Sequence, residues 1–180
     1  MTTATTPTET RVTDITAYCR SLVDRAQAAA RTLTTVPGKV RNAALHATAK
    51  ALRDSAQHLQ AENARDLQRG REMGLSPAML DRLELTDRRI ESMAASVEQI
   101  AAQPDPVGKV TEGRVLDSGI RLERVRVPIG VVLIIFESRP NVTSDAAALC
   151  LKSGNAVILR GGKEAAHSNA AIAQCVRTGL

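Results

Sequence analysis

Two short segments of this 180-residue chain gather residue types that handle anions. The first, Glu137-Ser138-Arg139-Pro140-Asn141, sets a carboxylate, a hydroxyl, a guanidinium and an amide side by side. A helix starting directly after it would turn backbone N–H groups toward a negative ligand. Arg139 can give a bidentate contact to a phosphate or carboxylate. An ordinary connection uses the same residue types, with Ser138 as helix cap and Pro140 at the helix start, and spacing alone leaves both readings open. The second segment is Arg160-Gly161-Gly162-Lys163. Two positions without side chains admit a ligand to the backbone, and the flanking cations suit phosphates or ribose hydroxyls. A tight strand-to-helix turn would use the same glycines. Neither a GxGxxG nor a Walker sequence occurs anywhere in the chain.

Other chemistries find little support. Cys19, Cys150 and Cys175 lie far apart with no CxxC spacing, which reads as free, reduced thiols. Each is expected to be a buried packing residue, because a reactive thiol needs polar surroundings that favour the thiolate. His46, His58 and His167 do not pair with them at zinc-ligand spacing, so no metal is expected. No Ser–His–Asp set can be argued. The charge balance, 24 Lys+Arg against 19 Asp+Glu, gives +5. The cations are scattered beside acids, as in Asp87-Arg88-Arg89 and Glu123-Arg124, which reads as a solvated, ion-paired surface. Nucleic-acid binding would want a concentrated basic stripe, and single-strand binding stacking aromatics as well. Tyr18 and Phe136 are the only aromatics, so the core must be aliphatic and Ala-rich, built of close-packed helices.

The elements that would position the two segments follow from periodicity. Before Gln103 everything reads helical. One helix is expected over about 14–33, ended by Pro37-Gly38, and a long one over about 39–69. In the second, Leu45, Ala49, Leu52, Ala56 and Leu59 alternate steps of four and three along one face. A short helix follows Ser76-Pro77 and another runs over about 86–102. After the loop Gln103-Pro104-Asp105-Pro106, residues 114–117 and 120–127 flank Asp117-Ser118-Gly119 as a β-hairpin. Its apolar phase slips near Glu123-Arg124, suggesting a bulge or a strand serving two surfaces. Val131 to Phe136 reads as a strand buried on both faces, Val142 to Lys152 as a helix, Ala156 to Arg160 as a second buried strand, and Glu164 to Arg177 as a last helix. This strand–helix–strand order lets the two strands lie parallel, and ligands bind beyond the carboxyl ends of such strands. Both anion-handling segments leave those ends. The longest apolar runs are six residues, far too short to span a bilayer, and the Thr-rich residues 1–13 read as a disordered tail.

Residues 104–170, including PDPVGKVTEGRVLDSGIRLERVRVPIGVV and LIIFESRPNVTSDAAALCLKSGNAVILRGGKEAAHSN, closely resemble the gamma-glutamyl phosphate reductase (glutamate-5-semialdehyde dehydrogenase) family of the aldehyde dehydrogenase superfamily. The upstream GLSPAMLDRLELTDRRI resembles the same family's amino-terminal region. The resemblance implies an α/β, aldehyde-dehydrogenase-like fold. It divides the chain into helices of the cofactor-binding domain (14–103), a loop and hairpin of the oligomerisation region (104–128) and a βαβα start of a Rossmann-like parallel sheet (129–180). It implies NADPH-dependent reduction of L-glutamyl 5-phosphate to L-glutamate 5-semialdehyde in proline biosynthesis, through a thioester on a catalytic cysteine, in a cytoplasmic enzyme that is a homo-oligomer when full-length; the charge pattern and short apolar runs above lead us to expect no nucleic-acid or membrane partner. Arg160, Gly161, Gly162, Lys163 and Glu164 then match the superfamily's strand and turn that hold the adenosine half of NADP(H), Arg160 standing where many members carry a Lys near the ribose. Glu137, Ser138, Arg139 and Asn141 match the segment near the reacting carbonyl, with Asn141 or Ser138 as oxyanion donor.

The chain also departs from that pattern. Family members are more than twice as long, and none of the three cysteines occupies the catalytic motif. The expectation is an amino-terminal part cut within the cofactor domain, with the catalytic cysteine beyond Leu180. Such a chain would be inactive by itself, marginally stable and prone to aggregate through an unpaired apolar sheet edge. A sharp, cooperative melt of a soluble monomer at high temperature would count against this. The alternative is a non-catalytic interaction fragment that pairs with an intact subunit.

Overall fold

The computed structural model describes residues 14–180; the tail expected over 1–13 lies outside the described residues. Helix α1 (Ile15–Leu33) is capped by Asp14, whose carboxylate accepts from the N–H groups of Thr16 and Ala17. The long helix expected over 39–69 is two helices, α2 (Gly38–Asp54) and α3 (Ala56–Glu72). Ser55 leaves helical geometry between them (φ −96°, ψ 9°), yet its N–H still bonds Ala51 and its carbonyl accepts from Leu59. The apolar stripe therefore runs on unbroken, with Leu45, Ala49, Leu52 and Leu59 all buried. Gly70 lies inside α3, and the chain turns at Gly74, whose φ of +73° is the left-handed conformation that glycine adopts freely. Helices α4 (Pro77–Leu83) and α5 (Asp87–Ala102) are capped by Ser76 and Thr86.

These helices form the core. Leu45, Leu52, Leu59, Ile90, Val97 and Ile172 pack as one aliphatic cluster with small Ala spacers, as the near-absence of aromatics requires. Helix α1 joins it through Leu33 at its end; along the helix only Ala26 and Ala30 are buried, while Ile15 and Val23 are exposed.

Strands β1 (Val110–Val115) and β2 (Arg121–Val125) form the antiparallel hairpin, turned at Gly119 with φ +82°. Its bulge falls at Thr111, opposite the Arg124–Val125 step, and every residue of both strands is exposed. Strands β3 (Val131–Ile135) and β4 (Ala156–Arg160) pair in parallel, Val131 opposite Ala156 through Ile135 opposite Arg160. Helix α6 (Asn141–Lys152) makes the crossover. The two strands are not buried on both faces as expected. Leu133 is 59% and Ile135 68% exposed, and along β4 only Ala156 is buried. The sheet has two strands, so neither outer edge has a pairing strand among the described residues. The last helix does not begin at Glu164: a 3₁₀ turn over Lys163–Ala165 precedes α7 (Ala166–Gly179).

Between α2 and α5, the Arg53 guanidinium forks onto two carboxylates, Glu91 at 2.8 and 2.9 Å and Glu98 at 2.5 and 2.9 Å. These hydrogen bonds hold both glutamate pKa values below the usual 4.5. A depressed carboxylate stabilises the fold fully above its unfolded pKa and loses that contribution as pH falls through the folded value. Arg53→Ala is thus expected to lower the urea midpoint at pH 6 and to converge with the parent chain toward pH 3. An equal gap at both pH values would contradict this.

Candidate functional site at the sheet edge

Phe136 N–H donates to the Arg160 carbonyl at 3.0 Å, carrying the ladder one step past β3. The chain ends of both strands therefore leave from one edge, and the two segments start side by side. Ser138 is buried and its hydroxyl donates to Glu164 Oε1 at 2.8 Å, tying the first segment to the second. Ser138 does not cap α6: Pro140 holds the cap position, with no side-chain capping bond. Glu137 is exposed and its carbonyl accepts from the Arg139 N–H at 2.5 Å, a tight reversal. That reversal divides the segment. Ser138 faces the β4 loop, whereas Arg139, Pro140 and Asn141 border a cleft on the far side, against α4 and α5. Asn141 opens α6 and its amide donates to Asp145 Oδ2 at 3.0 Å. Neither expected oxyanion donor is free in this state: the Ser138 hydroxyl and the Asn141 amide both bond carboxylates.

In the second segment, Arg160 and Lys163 are exposed, Gly161 is half-buried and Gly162 buried. A Cβ on Gly161 would collide with the Asn169 amide, and one on Gly162 with the Glu164 carboxylate. The Asn169 oxygen in turn accepts from Thr143 Oγ1 at 3.0 Å, linking α7 to α6. The turn is thus a backbone surface with two cations outside it and the Glu164 carboxylate folded over it. This fits a nucleotide, whose phosphates want cations and close N–H groups and whose ribose hydroxyls want a carboxylate acceptor.

Residues unnoticed in the sequence hold this edge in place. Asp66 of α3 is 0% exposed. Its carboxylate accepts from His167 N–H at 3.2 Å, Ser168 N–H at 2.7 Å and Ser168 Oγ at 2.7 Å, capping α7 from another helix. Asn63, also buried, donates to Ser168 Oγ at 3.0 Å and to the Leu83 carbonyl at 2.8 Å, and accepts from Leu85 N–H at 2.8 Å. At the other end of the sheet, Asn155 Oδ1 accepts from Gly130 N–H at 2.8 Å, fixing the entry to β3. Arg41, buried, bonds both Asp105 oxygens and the Lys152 carbonyl. The ammonium of Lys152 reaches Asn42 and the Ala101 carbonyl, and burial pulls its pKa down.

The thiols are not placed for chemistry. Cys150 and Cys175 are buried, and burial pushes both pKa values up. Cys19 is exposed on α1, correcting the expectation that all three pack inside, because α1 turns that face away from the core. Among the described residues no group of three His, Cys, Asp or Glu is placed to hold a metal ion, and no helix is long and apolar enough to cross a membrane.

Residues 4–180 match the aldehyde dehydrogenase family. The chain is 58% identical over 156 residues to gamma-glutamyl phosphate reductase of Rhodospirillum rubrum, covering 87% of this chain and 36% of that protein. Its fold superposes on the crystal structure of gamma-glutamyl phosphate reductase from Thermotoga maritima with a TM-score of 0.86 at 38% identity, over 89% of this chain and 39% of that one. The Saccharomyces cerevisiae enzyme gives a TM-score of 0.84 at 38% identity, over 88% and 40%. The chain thus spans well under half the length of these relatives. A NAD-dependent benzaldehyde dehydrogenase from Corynebacterium glutamicum shares the fold alone, with a TM-score of 0.69 at 18% identity over 91% of this chain and 33% of that one. Members of the aldehyde dehydrogenase family use NAD or NADP. The chain belongs to the aldehyde dehydrogenase family.

Proposed function

We propose that this chain forms the NADP(H)-holding part of a gamma-glutamyl phosphate reductase, an enzyme that reduces L-glutamyl 5-phosphate to L-glutamate 5-semialdehyde for proline synthesis. The observation that carries the reading is the 2.8 Å bond from Ser138 to Glu164 across two parallel strands, which makes one edge of two separate loops. In this reading Arg160 and Lys163 hold phosphate groups, Gly161 and Gly162 let the backbone come close, and Glu164 takes ribose hydroxyls. A guanidinium at Arg160 favours a 2′-phosphate, hence NADP over NAD. The bound dinucleotide supplies the hydride.

Glu137, Ser138, Arg139 and Asn141 form the substrate side, Arg139 and Asn141 lying in the cleft away from the glycines. Residues 14–103 back the nucleotide edge, and 129–180 build it. Residues 104–128 offer a homo-oligomer surface, since the hairpin exposes Val115, Ile120 and Leu122. The free cysteines fit a cytoplasmic setting. The 180-residue chain binds without turnover, because Cys150 and Cys175 are buried and Cys19 lies on α1, outside both loops.

The test is an NADPH fluorescence titration of the 180-residue chain. Saturable binding is expected, weaker for NADH, and about tenfold weaker in Arg160→Ala, the value of one charged contact. Absence of saturable NADPH binding, or an unchanged affinity in Arg160→Ala, overturns the reading.

A further inference from the structure

Ser138 is 6% exposed, and among the described residues its hydroxyl has one partner, Glu164 Oε1 at 2.8 Å. The two residues stand 26 apart in the chain, on loops that leave different strands. Glu164 is half-buried, and its carboxylate lies against the α-carbon of Gly162, in space that a side chain there would fill. Among the described residues it pairs with no cation, although Lys163 precedes it and Arg160 ends the adjoining strand. Its Oε2 has no hydrogen-bond partner among the described residues, and it is not shut off from solvent. One carboxylate oxygen is thus held by a buried neutral donor, and the other is left open.

The chemistry of the donor matters. A lysine or arginine on Glu164 would neutralise the carboxylate and occupy its acceptor positions. A hydroxyl takes up one lone pair, leaves the charge in place and fixes the direction of the rest. A glutamate that is free to rotate loses affinity when a ligand immobilises it, about two- to tenfold per such side chain. Ser138 removes that loss in advance. We infer that Ser138 is a positioning residue for the nucleotide: it pins Glu164 over the glycine turn so that Oε2 accepts from a ribose hydroxyl. Ser138 stands in the segment assigned to the substrate side, yet its hydroxyl serves the cofactor. The inference rests on the nucleotide reading of Glu164 proposed above and adds the residue that readies that carboxylate.

The experiment titrates ADP and 2′,3′-dideoxy-ADP, which lacks both ribose hydroxyls, into the isotope-labelled 180-residue chain and follows the backbone amide signals of Gly161, Gly162 and Glu164. ADP is expected to bind about tenfold more tightly, the value of one hydrogen bond to a charged acceptor. Ser138→Ala should weaken ADP about three- to fivefold and leave dideoxy-ADP unchanged. Glu164→Ala should bring ADP down to the dideoxy-ADP level, and adding Ser138→Ala to it should change nothing further. An equal loss for both nucleotides in Ser138→Ala marks a merely structural role and overturns the inference. So does an unaltered ADP affinity in that variant, or a Ser138→Ala effect that persists without Glu164. If Ser138→Ala fails to fold, Ser138→Cys, of similar size with a weak S–H donor, is read in its place against the same outcomes. The parent chain separates the two readings. Binding of neither ADP nor NADPH overturns the nucleotide assignment and this inference with it. NADPH binding with equal affinity for ADP and dideoxy-ADP, or a hydroxyl preference that survives Ser138→Ala in full, overturns only the role given to Ser138.

Discussion

Replacing Asp66 with alanine is expected to cost about 3–5 kcal/mol, among the largest single-residue effects in this fold. The first N–H groups of any helix lack partners within the helix. In α7 two of them, from His167 and Ser168, point at a carboxylate supplied by α3 that solvent does not reach. A negative charge there also complements the positive end of the helix dipole. Alanine would strand both donors and the Ser168 hydroxyl in the interior, where water cannot replace the lost acceptor. Asp66→Asn keeps one acceptor oxygen and is expected to cost about half as much. Urea denaturation with an unchanged m-value reads the difference as a shifted midpoint. A loss below about 1 kcal/mol for the alanine variant would show that the contact is dispensable. Because α7 follows the Lys163–Ala165 turn directly, the same variant should also weaken NADPH binding by loosening Glu164.

Asp66 was in fact marked in the sequence. The stripe that steps by four and three from Leu45 to Leu59 continues, by the same steps, to Asn63, Asp66 and Gly70, and all three are buried. A polar residue on an apolar stripe must find a partner; stopping the count at Leu59 hid the two that organise the site. The helix break at Ser55 leaves no such trace, since one residue with ψ near zero keeps both the flanking hydrogen bonds and the stripe.

Strand order and the parallel pairing were legible, because a buried apolar run, a helix of matching length and a second run allow few other arrangements. Strand burial was not, because it depends on neighbours outside the local sequence. The run Glu137 to Asn141 reads as one cluster, but a tight reversal sends Ser138 and Arg139 to opposite sides, which composition cannot reveal. Asp145 was within reach: it stands one helical turn after Asn141 on the same face, where side chains meet.

Leu52→Ala and Leu133→Ala delete the same atoms and are expected to differ several-fold in effect. Leu52 is 0% exposed in the helical cluster, among Leu45, Ala49 and Ile90, so its loss removes transfer energy and leaves a cavity; the expected cost is about 3–5 kcal/mol. Leu133 sits on the strand that the pattern expects to be buried, yet is 59% exposed, and its truncation is expected to change stability by about 0.5 kcal/mol or less. Its effect should appear instead in association. Apolar side chains beside an open strand edge drive chains together, so Leu133→Ala should reduce concentration-dependent light scattering while Leu52→Ala increases it through unfolding. If the two variants shift the urea midpoint equally, then the sheet rather than the helical layer holds the core, and the open edge described above does not exist in solution.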